Sequence, residues 1–192
     1  MIAIVKYNAG NITSVKNAVE RLGYSCIVTD DETILKQAEK VIFPGVGEAS
    51  SAMKYLKEKG LDEVIKNLTQ PVLGICLGQQ LLCQFSEEGN TKCLSIFEAT
   101  VKKFEPKLKV PHMGWNTIFD LKSVLFNDIS EEEDFYFVHS YYAEISNETT
   151  AVCDYIVPFS ASMQKDNFYA TQFHPEKSSQ VGEQLLLNFL KL

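Results

Sequence analysis

Over the first 85 residues, short apolar runs alternate with stretches of helical periodicity, and that alternation leaves few architectures open. The apolar runs fall at 2–7, 25–28, 40–43 and 71–76, and the helical patterns at 13–22, 32–38, 48–59 and 61–68. In 13–22, Val15, Ala18, Val19 and Leu22 share one face, and Gly23 follows as a stop. Strand, helix, strand in repetition predicts an α/β fold, a mostly parallel sheet with helices on both faces.

Beyond residue 85 the pattern turns β-rich, at 100–104, 135–145, 151–158 and 168–173, and reads as a mixed extension of the same sheet. The stretch 178–192 is a helix with Val181, Leu185, Leu186, Phe189 and Leu190 on one stripe. A chain of 192 residues suits one core. With no repeat or linker, 1–192 reads as a single domain with a single active site.

Composition narrows the function classes. Apolar residues make up 45% and charged residues 22%, so the chain is expected to fold. With 25 acidic against 18 basic residues and no basic block, nucleic acid is not an expected partner. The N-terminal run is short and lacks a basic leader, and no stretch approaches the roughly 18 to 20 apolar residues that span a bilayer. The expected location is the cytoplasm, away from membranes. Five cysteines without a C-x-x-C pair and three scattered histidines suggest neither disulfides nor a metal site, and no cofactor is expected.

Gly74-Ile75-Cys76-Leu77-Gly78 follows an apolar run and precedes a helical pattern read over 79–85. That is the strand, sharp turn, helix context of a nucleophile elbow, with cysteine where serine often stands. The two glycines are expected to let the backbone through a strained turn, and the helix end beneath Cys76 to favour its thiolate and receive an oxyanion. The pentapeptide alone fits a buried structural cysteine equally well; the context favours the nucleophile. Cys83 is read as core two helical turns further on, Cys26 and Cys153 as strand residues, and Cys93 as a loop residue.

A thiol nucleophile needs a base that a third group orients. His174 ends the run 168–173, and Pro175 separates it from Glu176, so a carboxylate and an imidazole can share one side of the chain. His139 lies mid-strand among aromatics with no local acid and reads as structural; His112 reads as a loop residue.

Taken together, Gly74-Ile75-Cys76-Leu77-Gly78-Gln79-Gln80 and Phe173-His174-Pro175-Glu176 resemble the class I, or triad-type, glutamine amidotransferases. More narrowly, Pro44-Gly45-Val46-Gly47, the stretches 111–116 and 136–142, and His174-Pro175-Glu176-Lys177-Ser178 resemble the glutaminase subunits of imidazole glycerol phosphate synthase, over essentially the whole chain.

The resemblance implies a flavodoxin-like sheet, Cys76 as nucleophile, His174 as base and Glu176 as its orienting acid. It implies that Gln80, Gly47, Ser140 and Tyr141 contact glutamine, and that the backbone N–H groups of Leu77 and Val46 hold the oxyanion. It further implies a heterodimer with a (β/α)8 cyclase subunit that takes up the ammonia in histidine biosynthesis. Trp115, Asn116, Tyr141 and Lys177 are the candidate contacts, as aromatic and long basic residues near the active-site rim; each taken singly reads equally well as packing or solvated surface. Gln79 departs from the family, which usually carries Met or His there; it is expected to point away from the nucleophile. The elbow alone also fits a free-standing cysteine hydrolase, against which Gln80 and 111–116 argue. An intact Cys, His, Glu set argues against a non-catalytic binding module. Within the amidotransferases, a subunit serving another synthase stays open.

Overall fold

A computed structural model describes all residues, 1–192. Its first half runs β1 (Ile2–Val5), α1 (Ile12–Arg21), β2 (Cys26–Thr29), α2 (Glu32–Gln37), β3 (Lys40–Gly45), α3 (Ala49–Glu58), α4 (Leu61–Lys66), β4 (Val72–Cys76) and α5 (Leu77–Leu82). The second half runs β5 (Cys83–Ser86), β6 (Thr91–Lys92), β7 (Phe97–Lys103), β8 (His112–Thr117), β9 (Asp134–His139), β10 (Tyr141–Ala143), β11 (Thr149–Tyr155), β12 (Val157–Lys165), β13 (Phe168–Thr171) and α6 (Ser179–Leu190).

The central sheet has the order β11-β12-β13-β4-β3-β1-β2. Its five strands from β13 to β2 are parallel, and β12 and β11 add an antiparallel edge. Read from β2, the parallel part is the flavodoxin-like order with β13 as fifth strand, in which ligands bind beyond the carboxyl ends of the strands. The chain leaves β3 at Gly45, β4 at Cys76 and β13 at Thr171 on that one edge.

The apolar runs are continuous because both faces of the sheet are covered. Ala3 and Val5 of β1, with Val41 and Phe43 of β3, pack under α2 to α5, whereas Ile2, Ile4 and Ile42 face α1 and α6. Truncating a wholly buried side chain such as Phe43 would cost ~3–5 kcal/mol. No helix is long and apolar enough to cross a membrane.

Five expectations need correction. The helix after Cys76 stops at Leu82: Cys83 is extended (ψ 174°) and opens β5, which pairs with β6 and β7, so the apolar spacing read as a second helical turn is strand alternation. The β-rich half extends the central sheet only through β11 to β13; β10-β7-β5-β6 and β8-β9 form separate sheets. The single run 135–145 divides at Ser140 between two of them, and 151–158 turns at Ile156, where φ is 63°. His112 lies in β8, paired with β9, where aromatic neighbours reward pairing more than the Pro and Gly at 111 and 114 oppose it.

Candidate active site

Cys76 ends β4 with φ 55° and ψ −106°, a conformation costly for a residue with a side chain. The strain sits on the cysteine itself. The flanking glycines act differently from expectation: neither has a positive φ, and they permit close approach instead. A Cβ on Gly78 would lie 1.9 Å from the Phe43 carbonyl oxygen, and one on Gly74 2.8 Å from Leu82 Cδ1. Helix α5 therefore presses directly onto β3, which fixes the turn that projects Cys76.

His174 follows β13 and is tied at both backbone groups. Its N–H donates to the Tyr136 carbonyl (2.9 Å), and its carbonyl accepts from the Ser178 hydroxyl (2.7 Å). His174 Nδ1 lies 2.7 Å from Glu176 Oε1, and neither side chain is exposed. Asn11, at the left-handed turn before α1, donates its side-chain amide to the same carboxylate oxygen. His174 Nε2 is buried with no hydrogen-bond partner within its own scaffold, which leaves it for chemistry. Burial by itself depresses the His174 pKa, but the charge of the adjoining Cys76, and Glu176 on Nδ1, outweigh it and raise the value to about 10.

Cys76 opens into a pocket of about 260 Å³ walled by Val46, Gly47, Leu77, Gln80, Glu88, Pro111, Val138, His139, Ser140 and Tyr141. Every residue expected to contact glutamine or an oxyanion is on that wall. Gly47 sits at φ 143°, a region that favours glycine, and the Val46 carbonyl is held by the Gly10 N–H (3.1 Å). Gln80 gives both amide hydrogens to the protein, one to the Tyr141 carbonyl (2.9 Å) and one to Gln172 Oε1 (3.0 Å). Its Oε1 is thus the atom left for a ligand. Gln79 points away from the pocket, to the Ser160 carbonyl (2.9 Å).

Three residues of the site lay outside the sequence reading. Glu88, in the turn after β5, lines the pocket with its Oε2 on the Ala49 N–H (2.8 Å); burial, followed by the neighbouring Glu48, raises its pKa although the Ala49 bond lowers it. Gln172 places its amide nitrogen 3.6 Å from Cys76 Sγ. Asn11 is the third. None carries a local signal beyond its residue type, since each acts across at least a dozen residues of chain.

Of the four residues expected to meet a partner, Tyr141 lines the pocket and the other three do not. Trp115 is 53% exposed on β8, edge-on to Tyr136; Lys177 is exposed beyond Glu176; and Asn116 is half-buried, with its amide on the Asp154 carbonyl and His112 Nε2 (both 3.3 Å). His112 Nδ1 meets His139 Nε2 at 3.0 Å, and His139 Nδ1 meets the Tyr141 carbonyl at 2.8 Å. A carbonyl only accepts, so His139 carries its proton on Nδ1 and takes one from His112. Both histidines are held neutral by burial, with pKa values lowered to about 4 for His112 and about 3 for His139.

Comparison with known proteins agrees with this geometry. The family model of class-I glutamine amidotransferases matches residues 3–192. The imidazole glycerol phosphate synthase subunit HisH of Bacteroides fragilis is 61% identical over 194 residues, covering 100% of this chain and 99% of the relative. That of Colwellia psychrerythraea is 48% identical over 206 residues, covering 98% and 92%. Among solved structures, PurLQS of Thermotoga maritima matches with a TM-score of 0.73 at 15% identity, covering 99% of this chain and 97% of the other. The glutaminase domain of Trypanosoma brucei CTPS with bound acivicin matches with a TM-score of 0.67 at 17% identity, covering 99% and 93%. At such identities these two likenesses speak for the fold alone.

Proposed function

Because this chain belongs to the class-I glutamine amidotransferase family, we propose that it is the glutaminase subunit of an imidazole glycerol phosphate synthase, hydrolysing glutamine and passing the ammonia to a synthase subunit. The observation that carries the reading is a strained Cys76 that opens into the pocket and adjoins the buried His174–Glu176 pair behind it.

Glutamine enters with its carboxamide toward Cys76. The Glu88 carboxylate and Gln80 Oε1 face its α-ammonium end, where acceptors are needed. The sulfur attacks the carboxamide carbon, and the oxyanion that forms is taken up by the Leu77 and Val46 N–H groups. His174 gives its Nε2 proton to the leaving nitrogen, and ammonia departs as the C–N bond breaks. Water then attacks the thioester carbon, its proton passes to His174, and the C–S electron pair returns to Cys76, releasing glutamate. Glu176, held by Asn11, keeps the imidazole oriented throughout.

The fold of the partner is the finer part of the reading: a (β/α)8 cyclase, forming a cytoplasmic heterodimer and docked on the β8 face through Trp115, Asn116 and Lys177. Trp115 and Met113 expose apolar surface there, and Pro111, just before β8, belongs to the glutamine pocket. The identity of 61% to a HisH subunit favours this partner over another synthase. The Gly45-Val46-Gly47 segment gates the rate, because one misdirected oxyanion donor withholds about a hundredfold to a thousandfold. The test compares glutamine turnover by the chain alone and with the cyclase plus its nucleotide ligand. A rise of that order is expected; full rate without the partner would contradict the gate, and peptide hydrolysis in place of glutamine turnover would contradict the function.

A further inference from the structure

Gln172 is wholly buried and stands two residues before His174, so the chain leaving β13 carries both toward the same sulfur. The orientation of its amide follows from the bonds around it. The Tyr141 carbonyl only accepts, so the end of Gln80 that meets it is the NH2 group. That NH2 group also meets Gln172, so the atom of Gln172 facing Gln80 is its oxygen. The Gln172 NH2 group is therefore turned to Cys76 Sγ, at 3.6 Å, and cannot flip without losing the Gln80 bond. The Gln172 backbone N–H, bonded to the Ala161 carbonyl at 2.8 Å, anchors the side chain.

A neutral thioether-like sulfur accepts hydrogen bonds poorly, whereas a thiolate accepts a charge-assisted one. The donor on Gln172 therefore acts most strongly where negative charge returns to sulfur. Packing needs alone do not require it, since any acceptor at this position would satisfy Gln80.

We propose that Gln172 is a further catalytic residue, whose amide N–H receives the Cys76 thiolate as it is expelled from the γ-glutamyl thioester. The proposal rests on Cys76 being the nucleophile. In the step concerned, water oxygen bonds to the acyl carbon, the C–S bond breaks with its electron pair going to Sγ, and the water proton goes to His174.

The test uses the full chain in complex with the synthase subunit and its nucleotide ligand, the state in which the gate is open, and a γ-glutamyl thiophenyl ester, whose thiophenolate is released when Cys76 is acylated. The initial burst reads acylation, and the steady rate that follows reads thioester hydrolysis. Gln172→Met is expected to keep the burst, to lower the steady rate about tenfold or more, and to raise the fraction of acid-quenched protein carrying γ-glutamyl on Cys76. Gln172→Glu keeps the side-chain length and an acceptor for Gln80 but turns an oxygen to the sulfur; it is expected to show the same slow steady rate, and serves if the Met variant fails to fold. A parental steady rate in folded Gln172→Glu would overturn the proposal and leave Cys76 as nucleophile intact. Equal loss of burst and steady rate would mark a packing residue and likewise overturn it. No burst from the parent would overturn both readings.

Discussion

His174 Nδ1 lies 2.7 Å from Glu176 Oε1 with both side chains withdrawn from solvent, although the two residues are separated by Pro175 alone. The proline fixes the backbone between them, so base and acid form one rigid unit, and Asn11 reaches 165 residues along the chain to hold the acid's near oxygen.

Removing the base is expected to hurt more than removing its orienting charge. In steady-state glutaminase assays, His174→Ala should lower kcat about 10²–10⁴-fold, and Glu176→Gln by less, because the acid does not itself carry the proton. Asn11→Ala should act in the same direction as Glu176→Gln and more weakly. Parental activity in His174→Ala would contradict the assignment of the base.

The His174 titration offers a second check. Its pKa is raised to about 10, and of the raising influences Cys76 is larger than Glu176. NMR should show an imidazolium that persists to about pH 10, and Cys76→Ala should lower that value further than Glu176→Gln does. A folded pKa raised above the unfolded 6.5 contributes stability that is full below 6.5 and is lost as pH rises through about 10. Denaturation midpoints of the parent should therefore fall across that window more steeply than those of Cys76→Ala.

His112 and His139 predict the opposite slope. Their pKa values are lowered to about 4 and about 3, so the fold favours the neutral rings while the unfolded chain binds protons near 6.5. This stability is full above 6.5 and drains as pH falls through about 4 and then about 3. Replacing His112 by Phe keeps the stacking on Phe137 and Tyr155 and should flatten the acid side of a stability profile. An unchanged profile would show that the pair is not held neutral.

Glu88 should act on binding. Glu88→Gln removes the charge facing the ammonium end of glutamine, and a charge-assisted bond lost there should raise KM about tenfold or more while changing kcat less. A fall in kcat alone would place Glu88 elsewhere in the mechanism.

The legible parts of this molecule are those with a local code. The alternation of runs placed β1 to β4 and α1 to α4 within a few residues, and the turn around Cys76 and the His174-Pro175-Glu176 stretch marked out the reacting groups. Asn11, Glu88 and Gln172 were not legible, because an amide in a loop or an acid in a turn acquires its role only when the sheet edge brings it to the cysteine. The helix expected over 79–85 forms but ends at Leu82 for a related reason: over four residues, alternation and helical spacing look alike, and pairing with β7 decided the last three. The run 135–145 read as one strand because nothing in its composition shows that Ser140 hands the chain from β9 to β10.

The central claim is that Cys76 makes ammonia from glutamine for a synthase partner, and the most direct measurement gives the complex with a barrel cyclase either glutamine or ammonium salt as nitrogen source. With Cys76→Ser, product formation from glutamine should disappear while formation from ammonium persists at the parental rate. Undiminished synthesis from glutamine by the Cys76→Ser complex would contradict the account.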